Sequence, residues 1–325
     1  MKKKFLPLVL AALLCSCAQD GKVEVKRIAD ASYTVVMDSL LTSFPGGIAY
    51  LDGKVFWQDP FSTEEIMHVV DVERREEVAA FGKFGDAGDE FVMPKMSWYK
   101  DKFYLNDTEK NVGFSYEVKG DSVYRDPDQV AMESMATSFL RVNEQEGILF
   151  KPGDAAPFVY LSQGEAQPYG KQPIEGVADG FNYFQGIVDY NPSTKKLVYS
   201  TFLFPYLAVY GVADGKLELL KELVTEQTKL DAEAEGAREM CTTKDYIVLV
   251  QRDLETEGEK PKPRFIRDPA VAPHSMFVYD YDLNLRAILH FDLPVVRVAG
   301  DVQSNDVYWV AADEEFRVLK TTIAL

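Results

Sequence analysis

Cysteine and histidine are both scarce in this chain, at three residues each in 325. Cys15 and Cys17 fall near the N-terminus and only Cys241 lies in the body of the chain. A disulfide framework is therefore excluded, and a Cys/His metal centre has few ligands to draw on. Positive charge is the next shortage, with 35 Lys and Arg against 52 Asp and Glu and a net charge of −17. Nucleic-acid binding, which depends on clustered Lys and Arg, is not expected of such a surface. Long apolar runs are missing too: the run from Phe5 to Leu14 is far short of the roughly 20 residues a membrane-spanning helix needs. Long stretches of 3.6-residue periodicity are also lacking, which argues against a helical solenoid.

What the chain does have is a series of runs of five to eight residues rich in Val, Tyr, Phe and Ile, broken by Gly, Pro, Asn and Asp, a β composition. Between Gly47 and Phe91 four such runs follow one another. IAYLD and KVFWQD are joined by Asp52-Gly53, a dipeptide suited to a tight hairpin. EIMHVVDV and EEVAAFG follow around a polar turn. Six first hairpins of this kind turn at Asp52-Gly53, Lys100-Asp101, Gln145-Gly147, Ser193-Lys195, Lys244-Asp245 and Ser304-Asp306. With Gly53, Asp101, Glu146, Thr194, Asp245 and Asn305 as markers, the intervals are 48, 45, 48, 51 and 60 residues. A charged, proline-containing insertion from Arg252 to Pro273 accounts for the long last interval.

A period near 50 with four strands per period predicts an all-β, six-bladed β-propeller with four-stranded antiparallel blades. After VRVAG, VYWVA and FRVLKTTI the last unit has only three strands, and the lone SYTVVMDS run is expected to supply the fourth. The ring would thus be closed by the N-terminal strand, removing an open sheet edge.

The first residues read as a processing segment, with Lys2, Lys3 and Lys4 before the apolar run. Leu14-Cys15-Ser16-Cys17 looks like a bacterial lipobox, which implies a signal peptide over 1–16 and lipid attachment at Cys17. Cys15 is a rival acceptor that would leave Leu14 as the last residue before cleavage. The expected organisation is then a lipidated Cys and flexible tether over 17–31 and a propeller over 32–325. Removal of the three lysines leaves 32 basic against 52 acidic residues, a net −20, which favours a dispersed monomer.

The loop FGKFGDAGDEF after the first unit and the terminal NDVYWVAADEEFRVLKTTI resemble the six-bladed TolB-like propeller lipoproteins of Gram-negative bacteria. The resemblance covers Ser32 to Leu325 and implies the fold and a lipid anchor in the cell envelope, expected at the outer membrane. Members of that group are mostly of unknown activity, so it implies little about mechanism.

In such a fold the turns within strand pairs one-two and three-four share one face, while the loops between strands two and three share the other with the interblade connections. Here the second set is long and varied, and long loops on a rigid scaffold are where binding residues concentrate. Phe202, Phe204 and Tyr206 with Phe181, Tyr183 and Phe184 put six aromatics on adjacent loops, beside Trp57 and Phe61 on another. The candidate ligand-binding residues are Trp57, Tyr183, Phe204 and Tyr206 among the aromatics, with Asn106, Asp107, Arg238, Glu239, Arg252 and His274 as polar groups at strand mouths. They suit a protein, peptide or glycan partner on the long-loop face.

No catalytic residue, metal or cofactor is assigned. Without a G-x-S-x-G elbow, His274 does not point to a Ser-His-Asp hydrolase. Asp280 to Asn284 begins like a calcium loop, but Leu285 and Phe291 stand where Gly and Glu are needed. The expected function is a non-catalytic binding or scaffold module. The alternative is a metal-dependent lactonase-like or lyase-like hydrolase with an axial site drawing on Glu239, Asn106 and Asp107. The insertion, with Arg252, Arg264 and Arg267, reads either as a basic partner-contact loop or as a mobile spacer solvated by Glu255, Glu257 and Glu259.

Overall fold

The computed structural model describes residues 25–107, 109–126, 130–131, 136–162, 164–224, 235–264 and 268–325. Alternating apolar runs of this length bury one face against a neighbour, and the strands assemble into six sheets. Blade 1 comprises Ile48–Leu51, Lys54–Gln58, Met67–Asp71 and Glu76–Phe81. Blade 2 comprises Pro94–Tyr99, Lys102–Asp107, Val112–Lys119 and Ser122–Arg125, with Val130–Ala131 also paired to its third strand. Blade 3 runs through Ser138–Arg141, Glu146–Phe150, Phe158–Ser162 and Glu165–Tyr169, and blade 4 through Gly186–Asn191, Lys196–Thr201, Tyr206–Ala213 and Lys216–Val224. Blade 5 is Glu239–Thr242, Tyr246–Val250, Ser275–Asp280 and Leu285–His290. Blade 6 takes Val295–Gly300, Asp306–Ala312 and Phe316–Thr322 from the C-terminal end and Thr34–Leu40 from the N-terminal end. The chain is an all-β six-bladed propeller.

The tight turns form where local chemistry allows. Asp52 and Gly53 adopt φ of +47° and +76°, the left-handed pair that a two-residue hairpin demands, and Asp214 and Gly215 do the same at +50° and +73°. The third hairpin turns slightly earlier than its sequence suggests: Asn143 Oδ1 accepts the amides of Gln145 and Glu146, both at 2.9 Å, so Glu146 already opens the next strand.

Ring closure follows the expected pairing. Thr34–Leu40 lies antiparallel to Phe316–Thr322, with Thr34 opposite Lys320 and Leu40 opposite Phe316. Val36 and Leu40 are buried, and Tyr33 meets Trp309 edge-on at 5.5 Å.

One segment departs from the sequence reading. Lys26–Ile28, inside the stretch assigned to a flexible tether, pairs in parallel with Leu285–His290 and makes blade 5 five-stranded. Three residues with a single apolar side chain carry no readable period. What orders them is the free edge of the neighbouring strand together with Arg27, which bonds Asp253 and reaches Glu255 at 2.9 Å. Cys17 and the expected signal segment lie outside the described residues.

Aromatic rings fill the wedges between twisted blades: Phe56 stacks on Phe103 at 4.5 Å between blades 1 and 2, and Phe158 packs on Tyr210 at 5.0 Å between blades 3 and 4. Near the axis the first strands are tied laterally. Thr242 gives its amide and hydroxyl to Asp189, both at 2.8 Å, and Asn191 donates to the Thr243 carbonyl at 2.8 Å.

Candidate functional site

Each first strand begins on the long-loop face and ends at a short turn, so its first residues stand at the mouth of the axial channel. In blade 5 that residue is Glu239. It accepts a bond from Arg297 of blade 6 at 2.8 Å, while Arg297 also donates to the carbonyls of Gly46 at 2.7 Å and Val296 at 2.9 Å. Burial pushes the Glu239 carboxyl above its usual range despite the opposing pull of Arg297. Arg238 beside it turns away to Glu235 at 3.1 Å, which Lys260 of the insertion also reaches at 2.6 Å.

The remaining expected residues are dispersed. Asn106 is fully buried and donates to Ser97 at 2.8 Å. Asp107 caps a loop, accepting the amides of Val92 and Met93 on one oxygen and of Glu109 and Lys110 on the other. Trp57 is buried and stacked on His68 at 4.3 Å, and His68 pairs with Glu77 at 3.0 Å. Phe204 and Tyr206 are core residues, packed against Phe184 and Tyr199. Their side chains fall on the inward positions of a strand mouth, which aromatic density alone does not reveal.

Tyr183, by contrast, is exposed, and it has company. It ends a one-turn helix, Gly180–Tyr183, whose N-cap Asp179 accepts the Asn182 amide. The loop at 202–205 is tied to the residues after that helix, Phe202 donating its amide to Gln185 at 3.1 Å and Phe204 packing on Phe184. Phe181, Tyr183, Phe202 and Leu203 are thereby displayed together on the long-loop side of blade 4, each more than a third exposed. Of these four, Phe181, Tyr183 and Phe202 belonged to the aromatic group expected from the sequence, and Leu203 did not.

Arg252 and His274 meet in the insertion, around a carboxylate the sequence reading had left to solvent. Glu257 accepts from Arg252 at 3.1 Å, from the amides of Asp253 at 3.2 Å and His274 at 2.8 Å, and from the Ser275 hydroxyl. The insertion is therefore pinned to blade 5. Of the three arginines in the insertion, Arg252 is buried against Glu257, the exposed Arg264 pairs with Asp268 at 3.0 Å, and Arg267 lies outside the described residues.

The same region brings a serine, a histidine and an aspartate together. Ser275 Oγ lies 3.1 Å from His290 Nδ1, and His290 Nε2 lies 3.2 Å from Asp253 Oδ2. Two facts count against acyl transfer. Ser275 has no exposed surface, and its hydroxyl is given to Glu257. Among the described residues no group of three or more His, Cys, Asp and Glu side chains could hold a metal ion.

A cavity of about 470 Å³ opens on the opposite face, where first turns from blades 1, 2, 4 and 6 surround the axis. Its walls carry Tyr50, Trp98 and Tyr99, none of them a candidate from sequence. The available signal was the aromatic residues just before the turns in YLDG and WYKD.

No family model matches the chain, and no curated protein matches it in sequence. Solved structures do match in fold. A protein of Bacteroides fragilis described as exported aligns at a TM-score of 0.56 and 10% identity, over 93% of this chain and 99% of its own. A member of the DUF4221 family from Bacteroides vulgatus aligns at 0.56 and 12% identity, over 90% of this chain and 98% of its own. Raptor of Chaetomium thermophilum aligns at 0.51 and 10% identity, over 90% of this chain and 30% of its own. At these identities the likeness is one of fold.

Proposed function

We propose that this chain is an exported, lipid-anchored binding module of the Gram-negative cell envelope, of the TolB-like propeller lipoprotein kind, which holds a protein or peptide partner on its long-loop face. The observation that carries the partner surface is the exposed group of Phe181, Tyr183, Phe202 and Leu203 on blade 4. Exposed aromatics on neighbouring loops of a rigid frame are the usual anchors of interfaces, because they give large contact area at small entropic cost. Export and anchoring at Cys17 rest on the lipobox-like LCSC, and the exported neighbour of like fold agrees with them. A scaffold tethered at its N-terminal end, with recognition on loops, needs no chemistry of its own.

The metal-dependent hydrolase reading gains no support. Of its donors, Glu239 is engaged by Arg297 and Asp107 by four backbone amides, while Asn106 gives its Nδ2 to Ser97 and keeps a buried Oδ1 without a partner among the described residues.

A photo-crosslinking residue placed at Leu203 tests the partner surface in intact cells. A discrete crosslinked species that disappears on Phe181→Asp and Phe202→Asp is the expected result, and crosslinks unaffected by both changes would refute this surface. Mass spectrometry of the membrane-extracted protein should find acylated Cys17 as its N-terminus; an intact Met1 would end the anchoring part.

A further inference from the structure

The axial cavity lies on the face away from the proposed partner surface and is a separate site. Its volume of about 470 Å³ falls within the range of small-ligand pockets, roughly 300–1,000 Å³. Tyr50, Trp98 and Tyr99 form its aromatic wall, Tyr50 being held by stacking on Tyr308 at 4.2 Å. A further part of the wall is fixed by Gln303, which donates to Ser193 at 2.9 Å and so links the turns of blades 6 and 4.

The charge around the rim has one dominant sign. Asp52, Asp101 and Asp301 face a single cation, Lys100. Asp301 is committed to its turn, accepting the Gln303 amide at 2.9 Å and the Ser304 hydroxyl at 2.7 Å, while Asp52 and Asp101 are exposed. A cleft lined by one sign, in a protein of net charge −17, concentrates ions of the other sign. Anionic ligands are disfavoured on this ground.

A separate observation concerns the rings. The Lys100 ammonium already sits 5.1 Å from the Tyr99 ring centroid, so one aromatic face in this wall is in use by a cation of the chain itself. Aromatic rings and carboxylates around a half-open cleft are what an ammonium group selects, since it takes ring faces and opposite charge together.

We propose that this cavity binds an organic cation, an alkylammonium group presented by a small molecule or by a lysine side chain, and that Lys100 competes with it for the site. The second clause gives the test a sign that misfolding cannot imitate. Asp52→Asn and Lys100→Asn both keep a residue type that tolerates the positive φ of +47° and +54° found there. Trp57 and Trp309 are buried, so Trp98 is the tryptophan whose fluorescence reports the cavity.

Titration of the purified full chain with N-acetyl-lysine methylamide, and with tetramethylammonium, should give a saturable change that weakens between low and high salt. Lys100→Asn should tighten binding and Asp52→Asn and Asp101→Asn should weaken it, each by about threefold to tenfold for one rim charge at short range in a wet site. Methyl glucoside, a neutral ring of hydroxyls, should not compete. Absence of saturable binding by either cation, weaker binding in Lys100→Asn, or tighter binding of the glucoside than of the amine would each overturn the proposal.

Discussion

Replacing Glu257 by alanine should release the insertion while leaving the blades closed. The Glu257 carboxylate gathers four bonds, from Arg252, the amides of Asp253 and His274, and the Ser275 hydroxyl. Its side chain is 9% exposed and that of Arg252 is 7% exposed, so the guanidinium left behind meets water only if the segment opens. Removing one partner of such a pair costs about 3–5 kcal/mol, because an uncompensated charge stays buried. At about 1.4 kcal/mol per tenfold, the opening equilibrium of the segment should rise roughly a hundredfold to a few thousandfold. Hydrogen exchange reads this at the amides of Thr256 and Ala272, which bond the carbonyls of Asp253 at 3.1 Å and Pro269 at 2.9 Å in the two short turns of the insertion. Amides in the central strands of blade 4 should keep their protection, and Glu259→Ala, an exposed change in the same segment, should leave Thr256 as it was. Adding Arg252→Met to Glu257→Ala should restore part of the loss, since it removes the stranded charge. A folded Glu257→Ala protein in which Thr256 and Ala272 exchange at the wild-type rate would refute the argument.

Two further tests address the frame. A chain beginning at Leu41 lacks the closing strand, so it should melt lower than the full chain and aggregate as measured by light scattering, because the edge of Phe316–Thr322 becomes free; equal melting would count against ring closure. Acid sensitivity should depend on Glu146, whose carboxyl is lowered most by the Ser162 hydroxyl at 2.7 Å, with burial opposing and Tyr160 and Asn143 adding to the lowering. A carboxyl depressed in the folded state contributes stability above its unfolded value, about 4.3, and loses it as pH falls through the folded value. Glu146→Gln should therefore shrink the loss of stability on acidification below about pH 4, and an unchanged pH profile would exclude this role.

The sequence was most legible where structure is set locally. Asp-Gly pairs at positive φ, period-2 alternation and a repeat near fifty residues suffice for six blades, because each hairpin is built from neighbours in the chain. The missing fourth strand of blade 6 was legible for a related reason, since a three-stranded unit leaves an edge that something must cover. Elsewhere tertiary placement decided. Lys26–Ile28 becomes a strand only because Leu285–His290 offers an edge. Phe202 and Phe204 are two residues apart in one loop, yet one is displayed and the other sealed in the core. Arg252 read as a binding group at a strand mouth, and Glu257 as one of the carboxylates that would solvate a spacer. Their burial comes from contacts with Ser275 and His274 that no local pattern encodes. The axial cavity escaped notice because its wall is assembled from turns of four separate blades.

Closing the ring with strands from both ends has a consequence for how the chain matures. Thr34 pairs with Lys320, 286 positions later, so the segment that leaves the ribosome among the first is among the last to find its place. During synthesis the first four strands of each of the five other blades can form from contiguous residues, while the sixth blade waits for the C-terminus. Until then Phe316–Thr322 has no partner on one side and Thr34–Leu40 has none at all. A holding factor, or simple dilution, would matter most in that interval, and any late truncation would leave both ends unfinished together.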